Sequence, residues 1–472
     1  MESKKIVLIL LESFLLFLVL LSAQGESSVL KLEGLKLNDL IEWKGQISRK
    51  SAPGQLQITA NTNRPGTQYT MMRLQIQGAR HRMMFRYGIK GKERSTPPKL
   101  CPDNLIHPGR DFLIIIHVTT GYLNVYYEGR LKFILPISTL TSIENAVSIR
   151  IHGSVTTKQL RVLTGADIIN ELQTPNCGRI IRGGNVPQFC RGGEQQRIVG
   201  GTTARPGNFP WQISIRKVKA YSNGSPHVCG GTLIAGQWVI TAAHCFTGRV
   251  KRERKKHFVR VGDYFNRDNL PHSQDSMVEE SHDIPISQIY IHEGFTQYPA
   301  TRNDIALIKL SEPVSLTRFV QPACLPTSPD QFTDGNTCGI SGWGATNFTQ
   351  LRDEYPFCLR AATVHTWPDK NCSRSYPRSF SNDSMLCAGD EGIDTCQGDS
   401  GGPLTCLSRD GNITLWGITS YGKGCGHKSQ PGVYTKVSEF VVWVYFKMKL
   451  QDANGMPDAE ERDQSPLLYC QQ

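Results

Sequence analysis

Beyond its first 25 residues the chain has no apolar run long enough to span a bilayer, so no transmembrane helix is expected in the mature protein. Residues 30–165 carry no helical period either. Short runs such as Leu56–Ala60, Met71–Ile76 and Met83–Tyr87 are separated instead by Pro, Gly and Asn. Many short strands with no helical period between them point to an all-β sandwich or barrel. Tryptophan is almost missing from this stretch, with Trp43 alone. The net charge is +12, yet no recognisable nucleic-acid motif accompanies it, and nucleic acid is excluded as a partner.

What is present begins with a leader. Lys4 and Lys5 precede an apolar stretch from Ile6 to Leu21, followed by Ser22-Ala23-Gln24-Gly25. Residues 1–25 therefore read as a signal peptide, and the mature protein is expected to be secreted and extracellular. Fourteen cysteines fit an oxidising compartment. Five Asn-x-Ser/Thr sequons, at Asn223, Asn347, Asn371, Asn382 and Asn412, mark candidate glycosylation sites. A chain of 472 residues exceeds one compact core, so two or more domains are expected. Residues 26–176 hold 20 Lys and Arg against 11 Asp and Glu. That balance suits anionic partners such as sulfated glycans, or else forms a solvated basic face.

The most specific segment is 394–404, Asp-Thr-Cys-Gln-Gly-Asp-Ser-Gly-Gly-Pro-Leu. It sets Ser400 in a tight Gly-rich loop whose amide N–H groups can face a developing negative charge. Upstream lie Thr241-Ala-Ala-His244-Cys245 and Asn303-Asp304-Ile-Ala-Leu. The chain order His244, Asp304, Ser400 separates this constellation from the two other known orders of the same three groups. Together with Arg197-Ile198-Val-Gly-Gly201, these motifs resemble a chymotrypsin-type, trypsin-like serine protease over residues 198 to about 448.

That resemblance implies a double six-stranded β-barrel following the N-terminal β-sandwich. It implies a catalytic His244, Asp304 and Ser400, with an oxyanion hole from the N–H groups of Gly398 and Ser400. Asp394 would lie at the base of the primary pocket and favour Arg or Lys, between walls at Gly422 and Gly432. Tyr421 stands where the family usually has Trp. Cleavage of Arg197–Ile198 would release the Ile198 amine to pair with Asp399, so a zymogen activated by a trypsin-like protease is expected. The implied disulfides are Cys229–Cys245, Cys338–Cys406, Cys372–Cys387, Cys396–Cys425 and Cys177–Cys324. Cys101, Cys190, Cys358 and Cys470 remain, and Cys358 has Cys190 or Cys470 as partner, or one cysteine joins another chain. No metal site is expected, except that the stretch between Asp263 and Glu280 resembles the calcium loop of trypsins. The basic run Arg249–Lys256 suits heparin, an inhibitor or an acidic substrate, or is a solvated insertion.

In the first half, Phe112–His117, Tyr122–Arg130 with a turn at Glu128-Gly129, and Ser148–Gly153 are similar to the latter half of a galectin-type lectin domain. The corresponding strand Phe85–Ile89 lacks the family's His/Asn/Arg cluster, and Trp43 comes too early to be its stacking tryptophan. A β-sandwich without galactoside binding is the reading, with a laminin-G-like sandwich as alternative. The expected organisation is a leader at 1–25, sandwich at 26–170, linker and activation segment at 171–197, protease at 198–450 and a polar tail at 451–472. A secreted zymogen endopeptidase cutting after Arg or Lys in a cascade such as clotting or innate immunity is the leading function. A binding protein that works through its sandwich, and a digestive trypsin, are the alternatives.

Overall fold

The computed structural model describes eleven strands within residues 28–163, then residues 164–181, 185–186, 190, 201–218, 225–246, 254–266, 281–327, 334–345 and 355–453. The leader, Cys101, the Glu128-Gly129 turn, Arg197, Ile198, Glu280, Asn223, Asn347 and the tail from 454 with Cys470 lie outside the described residues. No described helix is long and apolar enough to cross a membrane.

The chain forms two compact units, divided between Gly165 and Ala166. The first is built from two antiparallel sheets. One runs in the order Ser28–Lys31, Ala146–His152, Gly54–Asn61, Gln68–Gln77, Arg82–Ile89, Lys92–Ser95. The other runs Val155–Leu163, Leu40–Ile47, Asp111–Thr119, Tyr122–Tyr127, Arg130–Pro136. Its central strands bury Leu40, Ile41, Trp43 and the run Phe112–Ile116. Trp43 is 0% exposed, packs edge-on against Phe112 and donates its indole N–H to Thr157 Oγ1 at 3.3 Å. It offers no face for a sugar to stack on.

The second unit holds two barrels. Six strands, Gln212–Lys217, His227–Ala235, Trp238–Thr241, Ala306–Leu310, His282–Ile291 and His257–Val261, close the first. Ile213, Ile215, Leu233, Val239, Val259 and Ile308 share one buried face by register and fill its interior. The alternate residues Gln212, Ser214 and Arg216 are also buried, because they face other protein rather than solvent. Ser341 Oγ donates to Gln212 Oε1 at 2.6 Å, joining one barrel to the other. In the second barrel Arg360–Trp367, Thr337–Gly342, Pro403–Leu407, Ile413–Tyr421, Gly432–Lys436 and Met385–Ala388 pair in turn, and the last pairs back with the first. Ile340, Val364, Leu386, Leu404, Trp416 and Tyr434 pack inside.

Residues read from the sequence as the end of the sandwich and a free linker belong to this second unit. Helix α1, Gly165–Leu172, buries Ile168, Ile169 and Leu172, which share one face by helical spacing. Its Glu171 accepts from Tyr445 Oη at 3.0 Å and pairs with Lys449 at 3.1 Å, both on the C-terminal helix Val441–Ala453. Beyond α1, Gly178 N–H donates to Pro322 O at 2.7 Å, and Gly178 O accepts from Ile413 N–H at 3.1 Å. The C-terminal helix continues to Ala453, three residues into the stretch read as tail.

Candidate active site

The site is assembled where both barrels meet. His244 sits on the one-turn helix Ala243–Cys245, directly after a barrel strand. Its Nδ1 lies 2.7 Å from Asp304 Oδ2, and its backbone N–H donates to Asp304 Oδ1 at 2.9 Å. Asp304 is 1% exposed. Burial acts to raise its pKa, but hydrogen bonds from His244 and Ser420 outweigh that and hold the carboxyl below its ordinary range. The Ser420 Oγ–H donates to Asp304 Oδ2 at 2.5 Å, and Thr435 Oγ1 donates to the Asp304 carbonyl at 2.8 Å. A fixed carboxylate at Nδ1 leaves Nε2 of the ring to exchange protons elsewhere.

Ser400 is brought alongside by main-chain contact. Gly230 N–H donates to the Ser400 carbonyl at 2.8 Å. A Cβ at Gly230 would stand 2.8 Å from Gly402 Cα, so the Gly-Gly pairs at 230–231 and 401–402 let strand and loop touch. Cys245 Sγ lies 3.9 Å from the same Ser400 carbonyl, which places the His244 turn against the Ser400 loop. No hydrogen bond joins Ser400 Oγ to His244 among the described residues, as is common without bound substrate.

Within the loop the amide directions alternate. Asp399 N–H donates to Cys396 O, and Gly401 N–H to Thr419 O. The N–H groups of Gly398 and Ser400 meet no acceptor among the described residues. Gly398 has φ 98°, and its carbonyl accepts from His227 Nε2 at 2.9 Å, while Ser214 Oγ lies 2.8 Å from His227 Nδ1. Burial depresses the His227 pKa to about 4, so the ring is neutral at pH 7. The Asp399 side chain turns inward, accepting Gly344 N–H at 2.7 Å and Cys396 N–H at 2.9 Å. Burial raises its pKa to about 6.

Asp394 is buried, 2% exposed. Its oxygens accept Thr395 N–H at 2.8 Å and Gly426 N–H at 3.3 Å. A Cβ at Gly432 would approach Asp394 Oδ1 to 2.6 Å, and one at Gly422 would lie 3.9 Å from Gly432 Cα. A side chain at position 432 would therefore crowd the Asp394 carboxylate. Burial pushes the Asp394 pKa up to about 7, against the two N–H bonds.

A family model described as Trypsin matches residues 198–444. The chain belongs to the trypsin family. Its second unit is a trypsin-like serine protease domain, and the two six-stranded barrels are the chymotrypsin-like fold. Ovochymase of Halocynthia roretzi is 37% identical over 254 residues, 52% of this chain. The match spans only 15% of that relative's length. Neuropsin, described as a serine protease expressed in the limbic system of mouse brain, is 32% identical over 52% of this chain and 98% of its own, with a TM-score of 0.43.

Six disulfides are formed in the trypsin-family unit: Cys177–Cys324, Cys190–Cys358, Cys229–Cys245, Cys338–Cys406, Cys372–Cys387 and Cys396–Cys425. Cys358, left open between two partners by the sequence, is bonded to Cys190. Of the sequons, Asn382 is exposed, while Asn371 and Asn412 are half-buried and hydrogen-bonded to Arg374 and Asp410. Asp263 is buried against Arg216, whose Nη1 donates to Oδ2 at 3.2 Å, while most of the stretch from Asp263 to Glu280 lies outside the described residues. The other cluster of ligand-type groups, Cys229, His244 and Cys245, has both sulfurs in a disulfide and no thiolate to offer. Ser420, Thr435 and His227 were missed by sequence reasoning, since each acts through a partner more than 100 residues away.

Proposed function

We propose that the chain is a zymogen endopeptidase that cuts peptide bonds after Arg or Lys, with Ser400 as nucleophile and His244 and Asp304 as its partners. The observation that carries the proposal is the Ser420–Gly422 segment. Ser420 is bonded to Asp304 at one end, and at the other Gly422 stands beside Gly432, which itself adjoins Asp394 Oδ1. A basic side chain lowered onto Asp394 would leave its carbonyl carbon beside Ser400. Ser400 Oγ bonds to that carbon as His244 Nε2 takes the hydroxyl proton. The carbonyl oxygen becomes an oxyanion received by the N–H groups of Gly398 and Ser400. The C–N bond then breaks, and His244 passes its proton to the departing amine. Water, deprotonated by the same ring, hydrolyses the ester left on Ser400.

Asp399 is already buried beside Gly342 and Gly344, and a buried carboxylate gains from a counter-charge. An Ile198 ammonium freed by cutting Arg197–Ile198 would supply it, which is the proposed activation. Secretion and glycosylation follow from the leader, the sequons and the six disulfides. A cascade role fits a protease carrying an appended domain. We read that domain as a galectin-type sandwich that does not use tryptophan stacking. Its surplus of cations supports anionic glycans as ligands.

The test is hydrolysis of an Arg-peptide amide by the purified protein after a brief cut with trypsin, which is then removed. Hydrolysis should exceed that of Ser400→Ala by several orders of magnitude, and a Lys amide should also be cut. Equal rates for wild type and Ser400→Ala would sink the enzymatic reading.

A further inference from the structure

The six-stranded sheet of the first unit sorts its residues by face. Leu56, Leu74, Ile149 and Ile151 are buried and share one face, with Ile58, Met72 and Phe85 in register beside them. Gln55 and Gln57 flank the buried Leu56 on the opposite face, and both are partly exposed. One register row crosses all six strands on that second face: Val29, Arg150, Gln57, Arg73, Arg86 and Ser95. By alternation Lys31 and Arg82 fall on the same face, two and four residues from members of the row. Glu93 is the only acidic residue in the six strands, and its register partner is Gly88. Five cationic positions therefore share this face with a single carboxylate.

The arrangement is costly unless an anion completes it. Arg73 and Arg86 are direct cross-strand partners, and like charges placed directly opposite destabilise a sheet. Neighbouring strands lie about 4.8 Å apart, so the Arg150, Arg73 and Arg86 positions span about 14 Å in one line. We propose that this face binds a sulfated polysaccharide laid across the strands along the Arg150–Arg86 row. Guanidinium forks match the paired oxygens of a tetrahedral oxyanion, and a chain carrying several sulfates meets several forks at once. Gln55 Nε2 donates to Gln57 Oε1 at 3.4 Å, which aligns two amides beside the arginine positions, and amides suit sugar hydroxyls. The row has no aromatic residue and only Val29 is apolar. A protein hot spot or a membrane surface would call for larger apolar anchors. The inference rests on the anionic-glycan reading given above and assigns it a face.

The test is binding of the purified full-length protein to immobilised heparin over a series of salt concentrations. The triple variant Arg73→Gln, Arg86→Gln, Arg150→Gln should bind about tenfold more weakly at low salt, as the loss of three partly screened charge pairs predicts. Its slope of log Kd against log salt should fall by about three, roughly one for each cation removed. The three Arg→Lys changes should keep the slope, since the charge remains. Glu93→Gln should bind more tightly than wild type, a gain that misfolding cannot produce. The run Arg249–Lys256 is a second basic segment, so Arg249→Gln, Lys251→Gln, Arg252→Gln is made in parallel and should retain the wild-type slope. Wild-type affinity and slope in the Arg73, Arg86, Arg150 variant overturn the face and leave glycan binding standing. Equal binding of wild type to desulfated heparin overturns the choice of sulfate. No binding of wild type to heparin overturns the face and the glycan reading together.

Discussion

Cys190 is bonded to Cys358, and the two stand on opposite sides of the Arg197–Ile198 bond in the chain. Cys177–Cys324 straddles the same bond. The Cys190 carbonyl also accepts from Thr203 Oγ1 at 3.2 Å, so residues on the two sides of that bond meet.

Cutting Arg197–Ile198 should therefore yield two polypeptides that stay covalently joined. On a denaturing gel the cut protein should run as one species without reductant and as two with it. Cys177→Ser and Cys190→Ser should each preserve the link, while the double variant should release the N-terminal chain. Release by either single variant would show that one bridge is not formed.

The hydroxyl of Ser420 is one of the donors that keep Asp304 ionised. Ser420→Ala removes it and leaves the carboxylate short of a partner in a buried site. A hydrogen bond to a charged group contributes about 1.5–3 kcal/mol, so kcat on an Arg amide should fall about tenfold or more. An unchanged kcat would mean that His244 alone suffices to hold Asp304.

Asp394→Asn should lower kcat/KM for Arg and Lys amides about 10²–10³-fold, since truncating one side of a buried charge pair costs about 2–5 kcal/mol or more. Gly432→Ala should act differently. Its methyl would meet Asp394 Oδ1 within contact distance, so KM should rise for Arg and Lys substrates alike. Initial-rate measurements on both amides distinguish the two effects.

Burial disfavours the charge of Asp394 and pushes its pKa up to about 7. A cationic ligand binds the ionised form, so binding should strengthen as pH rises through 7. Between pH 6 and 8 the ionised fraction of such a group grows about tenfold. Calorimetry of benzamidine, an amidinium probe, on Ser400→Ala should follow that curve, and Asp394→Asn should flatten it. The folded-state value lies above the usual 3.8 for this carboxyl, so protons favour the folded chain. This group's contribution to stability is therefore present below 3.8 and lost as pH climbs to about 7. Thermal unfolding of wild type against Asp394→Asn checks the sign.

Helix α1 should contribute to the stability of the protease unit. Ile168 is 0% exposed, and Ile168→Ala deletes buried apolar atoms with little room for collapse. Such changes cost about 2–5 kcal/mol. Chemical unfolding followed by the tryptophans of the second unit should show that loss. An unchanged midpoint would mean that α1 is only loosely attached.

The sequence made the local parts of the site legible. Asp394, Asp399 and Ser400 fall within seven residues, and their order with His244 and Asp304 is written along the chain. Strand patterning revealed the all-β class, since alternation is a short-range signal. What stayed hidden depends on distant partners. Nothing near Ser420 announces that its hydroxyl reaches Asp304. Helix α1 is eight residues long, too short for a period to stand out, and was read as the end of the sandwich.

Residues 166–181 make the protease larger than the segment that defines its family. The Trypsin match starts at Ile198, yet the compact unit starts at Ala166. A recombinant protease begun at residue 198 would leave Cys324 and Cys358 as free thiols. It would also strip the cover from Pro322, Leu325, Ile413 and Tyr445. Residues 166–181 are thus an integral part of the catalytic unit, and shuffling of this unit between proteins would have to carry the 32 residues from 166 to 197 with it.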